Sequence, residues 1–243
     1  MSKVIVITGG SGGLGKALTE DLTKDNKVII LATNQEELKK VAEQNNCDYF
    51  VCDVTNYYEV EEVIDDIIDK YGVIDVLINN AGLMAEEELD RNDPDEIKNV
   101  IEVNLLGVIN VTKAVIPIMK ENKNGLIINS NSKYGISSKI ERTVYCASKW
   151  GVTGFTKSLQ LELAKYEIKV TDIYLGALSK GMNMNGIKKD RLIDGIDAKE
   201  VVRLVKFIID TPKDVMIPEV VIKHINDLIR EMNITLFNES NNI

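Results

Sequence analysis

The order in which apolar runs and amphipathic segments follow one another constrains this chain more than any single motif. Six β-branched runs, KVIVITG, KVIILAT, YFVCDV, DVLINN, LIINS and KVTDIYL, are separated by stretches with helical periodicity. The runs are uninterrupted rather than alternating, as parallel strands covered on both faces require. VMIPEVVIK predicts a seventh. The long segment DPDEIKNVIEVNLLGVINVTKAV opens with Asp93 as N-cap, Pro94 at the first helical position and Glu96 closing a capping box. A repeated βα order implies right-handed crossovers. The expected fold is α/β: a single-domain doubly wound parallel sheet, a Rossmann fold, with helices on both faces. No linker splits the chain, so residues 1–232 read as one domain, with 233–243 as a polar C-terminal tail.

Composition removes several function classes. A chain of 243 residues can bury a substantial core. Its net charge of −9 argues against a nucleic-acid surface, which needs clustered Lys and Arg. Cys47, Cys52 and Cys146 lack C-x-x-C spacing, and a single His cannot complete a usual zinc site with them, so no metal is expected. The N-terminus has no signal-peptide pattern and the apolar runs are short, which predicts a cytoplasmic protein without a membrane span.

The stretch VITGGSGGLGKAL satisfies four motifs at once: G-x-G-x-x-G, most of a P-loop, the nucleophile elbow G-x-S-x-G, and T-G-x-x-x-G-x-G. Ala17 stands where a P-loop needs a Ser or Thr to hold magnesium. An elbow at Ser11 would follow the first strand, with no earlier strand for an oxyanion loop, and the lone His224 would have to serve as base. A dinucleotide turn has the right surroundings: a strand, glycines, and a helix expected to start near Gly15, whose N-terminus suits a pyrophosphate.

Tyr145 and Lys149 stand four apart on a predicted helix, hence on one face. A free phenol titrates too high for proton transfer at neutral pH, and an adjacent cation favours its ionised form. The pair is therefore a candidate acid/base. Ser132 lies just beyond the strand LIIN, Asn79-Asn80-Ala81-Gly82 caps the fourth strand at the same edge, Asp53 ends the third, and Asn104 sits mid-helix.

Taken together, in this order and at this spacing, these motifs resemble the short-chain dehydrogenase/reductase family in its compact form. The resemblance runs from about Lys3 to about Phe207 and includes the thirteen-residue interval between Ser132 and Tyr145. It implies an oxidoreductase transferring a hydride between a nicotinamide cofactor and a small alcohol or carbonyl substrate. Tyr145 would be general acid/base, Lys149 would lower its pKa and bond the nicotinamide ribose, Ser132 would polarise the substrate oxygen, and Asn104 would hold a relay water. The turn residues Gly9, Ser11, Gly12, Gly13, Leu14 and Gly15 would bind pyrophosphate, with Gly9, Gly13 and Gly15 as key glycines and Gly10 and Gly12 fitting the other fingerprint by coincidence. Asp53 and Val54 would contact adenine, Asn79, Ala81 and Gly82 the adenosine ribose region, and Leu178 the carboxamide through its backbone. An alternative is a non-catalytic NAD(P)-binding sensor or scaffold on the same fold.

Three places depart from the family pattern. The expected Pro-Gly after the sixth strand is Leu175-Gly176, and Lys180 replaces a Thr near the nicotinamide. Thr33 and Asn34 end the second strand with neither the acid of NAD users nor the base of NADP users, which leans towards NADP(H) over NAD(H). The short variable segment gathers Lys180, Lys188, Lys189 and Arg191, either to meet an anionic group on the substrate or as a solvated loop. The resemblance further implies a homodimer or homotetramer built on the helices of Asn104 and Tyr145.

Overall fold

All seven apolar runs pair in parallel, in the order β3-β2-β1-β4-β5-β6-β7. The computed structural model describes residues 2–179 and 195–229. The strands are β1 (Val4–Thr8), β2 (Lys27–Ala32), β3 (Asp48–Val51), β4 (Val76–Asn79), β5 (Gly125–Ser132), β6 (Ile168–Leu175) and β7 (Glu219–Ile222). The helices are α1 (Gly13–Leu22), α2 (Gln35–Asn45), α3 (Tyr57–Tyr71), α4 (Pro94–Ile101), α5 (Gly107–Asn122), α6 (Thr143–Leu163) and α7 (Ala198–Ile209). The chain winds outwards from β1 in one direction and from β4 in the other, so β1 and β4 flank the switch point where ligands of such sheets bind.

Period-two alternation divides the core into two. Ile5 and Ile7 of β1 face α1, α2 and α7, whereas Val4 and Val6 face α3, α5 and α6. Each face is apolar, as the uninterrupted runs require. The α5/α6 face changes character at its carboxyl end. There the inward residues are Asn79 of β4, Asn129 and Asn131 of β5, and Asp172 of β6, all buried. They bond to one another and to threonines of the helices: Asn79 Nδ2 donates to Thr112 Oγ1 at 3.0 Å and to Asn129 Oδ1 at 2.9 Å, and Asn129 Nδ2 donates to Thr156 Oγ1 at 2.8 Å. Bonds of this kind inside a buried layer fix one arrangement of strands and helices, while Asn79 Oδ1 and Asp172 Oδ1 are left without a hydrogen bond among the described residues.

Several boundaries differ from expectation. Helix α1 begins at Gly13, two residues early, because Gly12 already has the extended conformation of an N-cap. Ser132 is the last residue of β5 rather than beyond it, paired with Leu175 of β6, and β3 stops at Val51, leaving Asp53 in the following turn. Asp93 caps α4 through the N–H of Asp95 at 2.8 Å, not through a box with Glu96. Between α4 and α5 the helix widens into a π turn, Glu102–Leu106. The continuous helix 94–122 is long and apolar enough by length and composition to cross a membrane, a test that core helices also pass. Its apolar residues Val108, Val111, Val115 and Met119 are buried against the sheet. The cysteines are free thiols, and burial pushes Cys47 to about 11 and Cys52 to about 12. No metal-ligand cluster occurs among the described residues. The basic segment Lys180–Arg191 and the tail 233–243 lie outside the described residues.

Candidate active site

The glycine turn follows β1 directly. Gly9 adopts φ +64° and Gly13 φ +49°, which favours glycine at both. Thr8 Oγ1 accepts the N–H groups of Asn80 and Ala81, each at 3.0 Å, and Asn80 Nδ2 donates to the carbonyls of Thr8 and Gly9 at 3.3 Å. These bonds lock the turn to the end of β4. A Cβ on Gly15 would sit 2.0 Å from the Gly9 carbonyl oxygen, and one on Gly10 would sit 2.5 Å from Ile30 Cγ2. Gly10 is therefore required by its packing against Ile30, whichever fingerprint it matches. Gly12, by contrast, faces open space among the described residues. The first turn of α1 has no capping side chain and no acid. Its free N–H groups and dipole thus point into space that an anion can enter. The arrangement fits the pyrophosphate of a dinucleotide.

Residues of the adenosine end are mixed. Thr33 and Asn34 are exposed at the end of β2, but Asn34 Oδ1 caps α2 by accepting from Glu37 N at 3.1 Å. Only its amide nitrogen is left to meet a phosphate, and Glu36 and Glu37 stand in the same turn. Asp53 Oδ1 accepts the backbone N–H of Thr55 at 2.9 Å and its hydroxyl at 2.8 Å. Asn110 Nδ2 holds the same turn by donating to the Val54 carbonyl at 2.9 Å. The side chain of Asn79 points into the polar layer beneath the sheet, since strand parity sends it inward. Its side chain is structural, and only its backbone faces the site. After β6, Gly176 N donates to Ile222 O at 2.8 Å, and Leu178 forms a parallel bridge with Ile196. The turn forms without the expected Pro because Leu175 continues the pairing of β6 with β7.

Ser132, Tyr145, Lys149 and Asn104 meet at the carboxyl edge of β4 and β5. Ser132 ends β5, and its hydroxyl accepts Tyr134 N at 3.2 Å. Asn131 Oδ1 accepts Ser132 N at 2.8 Å and fixes that turn. Tyr145 and Lys149 stack on α6, with Lys149 Nζ 5.8 Å from the centre of the Tyr145 ring and donating to Ser130 O at 3.3 Å. Gly82 lies over them: a Cβ there would be 3.3 Å from Asn104 Oδ1 and 3.8 Å from Lys149 Nζ. Asn104 is fully buried within the π turn, a distortion found often at functional sites. Both of its amide hydrogens are used, towards Leu83 O at 2.8 Å and Ser148 Oγ at 3.1 Å, and Oδ1 accepts Leu83 N at 2.7 Å. Its side chain therefore clamps the loop after β4 to α6.

Electrostatics of the site follow from burial. Desolvation pushes the Tyr145 phenol above its ordinary value, opposed by its hydrogen bond with Ser132 and by the charge of Arg142. Arg142, three residues earlier, supplies a favourable charge for the phenolate. Burial pulls Lys149 down to about 8, with Asp172 acting in the other direction. Arg142 was not singled out from the sequence. It pairs with Glu86 at 3.1 Å and lies 5.2 Å over the ring of Tyr134, which in turn packs edge-on against Tyr145 at 6.5 Å. Asn131 also escaped, although alternate asparagines in LIINSNS carry a signal: polar residues on the inward face of a buried strand need partners.

Comparison with known proteins agrees with this geometry. The family model described as short chain dehydrogenase matches residues 3–191. The 3-oxoacyl-(acyl-carrier-protein) reductase of Thermotoga maritima is 39% identical over 186 residues, covering 74% of this chain and 76% of the relative. Carbonyl reductase family member 4 of Xenopus tropicalis is 32% identical over 220 residues, covering 87% and 93%. The closed form of a serine dehydrogenase complexed with NADP+ superposes with a TM-score of 0.86 at 26% identity, covering 92% of this chain and 95% of that one.

Proposed function

Because the chain belongs to the short chain dehydrogenase family, NAD(P)-dependent oxidoreductases acting on CH–OH and C=O groups, we propose that it interconverts a small alcohol and its carbonyl with Tyr145 as general acid/base. The observation that carries this reading is the convergence of Ser132, Tyr145 and Lys149 at one sheet edge, beside an uncapped glycine turn. A bound nicotinamide would supply or accept the hydride. Gly9 to Gly15 hold its pyrophosphate, and Lys149 bonds its ribose.

In reduction, the Tyr145 O–H gives its proton to the carbonyl oxygen while the Ser132 hydroxyl donates a hydrogen bond to that oxygen. Burial keeps Tyr145 protonated at neutral pH, which suits the acid role. Reduction therefore declines at alkaline pH as the phenol ionises, and alcohol oxidation rises over the same range. NADP(H) is favoured over NAD(H), because no acid ends β2 to repel a 2′-phosphate. The substrate is a small carbonyl compound, anionic groups included, and the protein acts as a homo-oligomer in the cytoplasm.

The test is a comparison of wild type with Tyr145→Phe against sugar, polyol, acyl and steroid carbonyls, with both cofactors. NADPH fluorescence reports binding and NADPH consumption reports turnover. The variant should bind NADPH as wild type does and lose about 100- to 10,000-fold in kcat. Retained turnover would remove Tyr145 from the chemistry. Binding by wild type with no turnover on any carbonyl would favour a sensor.

A further inference from the structure

A carboxylate buried inside a parallel sheet is costly unless another charge compensates it. Strand β6 places one there. Val170 packs among the apolar residues of the α5/α6 face, and two residues later the same face presents Asp172, which is 1% exposed. Asp172 Oδ2 accepts from Asn131 Nδ2 at 3.1 Å. The same amide nitrogen reaches the Lys149 carbonyl oxygen at 3.3 Å and Thr153 Oγ1 at 3.1 Å. Asn131 thus touches Asp172, the backbone of Lys149 and, through Oδ1, the N–H of the candidate catalytic Ser132. Asp172 Oδ1 has no hydrogen bond of good geometry.

Lys149 is equally enclosed, with 6% exposure. It is faced from α6 by Tyr145 and from β5 by the Ser130 carbonyl. Asp172 is faced by Asn131 of β5, by Thr156 of α6 and by Tyr174 of its own strand, and lies within the field of the Lys149 charge. Tyr174 in turn donates to Glu219 of β7 at 3.4 Å, and that carboxylate pairs with Lys157 of α6 at 3.6 Å. Among these groups, Lys149 and Asp172 are the buried opposite charges, one under the reacting edge and one behind it.

We propose that Asp172 is a positioning residue for the reaction: held by Asn131, which also holds the backbone of Lys149, it is the buried counter-charge that keeps the Lys149 ammonium charged. This rests on the assignment of Tyr145 and Lys149 as the acid/base pair. The direction of each group's titration agrees. Burial lowers Lys149 to about 8 and Asp172 pulls it back up, while burial raises Asp172 to about 6 and Lys149 pulls it back down. Between those values both are charged, which is the range in which the ribose contact of Lys149 is wanted.

The experiment is a pH titration of the cofactor-free protein labelled with 13Cε-lysine and followed by NMR, with Lys149→Arg identifying the Lys149 resonance. In Asp172→Asn the Lys149 midpoint should fall by about one pH unit or more. The alkaline loss of NADPH affinity, read by fluorescence, should move down with it, and Asp172→Glu should restore both. In wild type the Lys149 resonance should carry a second, smaller inflection near pH 6, as Asp172 takes up its proton. An unchanged midpoint in Asp172→Asn overturns the proposal. So does a wild-type curve without the second inflection, a result that stands even where the variant fails to fold. Coupling seen in a protein that neither binds NADPH nor reduces any carbonyl would uphold the pair and sink the proposed activity instead.

Discussion

Tyr145 and Lys149 were legible in the sequence because their relation is local: a four-residue spacing on a helix fixes a shared face whatever the rest of the chain does. Arg142 was not, because its effect depends on a carboxylate fifty-six positions away and on the ring of Tyr134. For a related reason the direction of the Asn79 side chain was not legible. Its motif suggested a cofactor contact, but strand parity turned its side chain to Thr112 and Asn129. The Arg142 charge lowers the Tyr145 pKa, so Arg142→Gln should raise it. The alkaline limb of carbonyl reduction should then move to higher pH, and the onset of alcohol oxidation should move the same way, by up to about one unit. A pH profile of kcat in each direction checks this. A shift towards lower pH, or none, would show that Arg142 does not act on the phenol.

Strands and helices were the most readable elements, since long runs of one period survive any tertiary context. Their ends were less so. Ser132 looked like a loop residue, yet β6 offers Leu175 as a partner and extends β5 to it. The π turn at Glu102–Leu106 leaves no trace in hydrophobic periodicity, because it arises where Asn104 bonds across to Leu83 and Ser148. The glycine turn gives a sharp contrast to test. Gly15→Ala places a methyl carbon against the Gly9 carbonyl, and should cost about 1–3 kcal/mol of stability together with NADPH binding. Gly12→Ala meets no protein atom, so its melting temperature should match wild type while NADPH affinity falls. Thermal melts and fluorescence titrations on the two variants separate a packing glycine from a ligand-facing one. Equal behaviour of the two would remove the pyrophosphate from this turn.

At the scale of the whole molecule, the doubly wound sheet was legible and the assembly was not, because one chain's sequence does not reveal which exposed apolar residues find partners. Trp150 and Leu161 lie on the outward side of α6, 51% and 82% exposed, and Leu106 is 41% exposed beside the π turn. If these helices form the proposed dimer face, Trp150→Glu combined with Leu161→Glu should shift the protein to monomer in light scattering after size exclusion, with the melting point of the monomer lowered. A wild type that is already monomeric would rule the interface out.

The strand order also sets a schedule for synthesis. β1 leaves the ribosome first but lies between β2 and β4, and β4 arrives some seventy residues later. Until then β1 lacks its β4 partner, and the edge of Ile5, Val6 and Ile7 has nothing to pair with. That edge is also where Thr8 will grip Asn80. The nucleotide turn therefore reaches its final shape only when the middle of the protein closes on its beginning, and ligand added to a stalled chain that ends before Asn79 has no finished turn to bind.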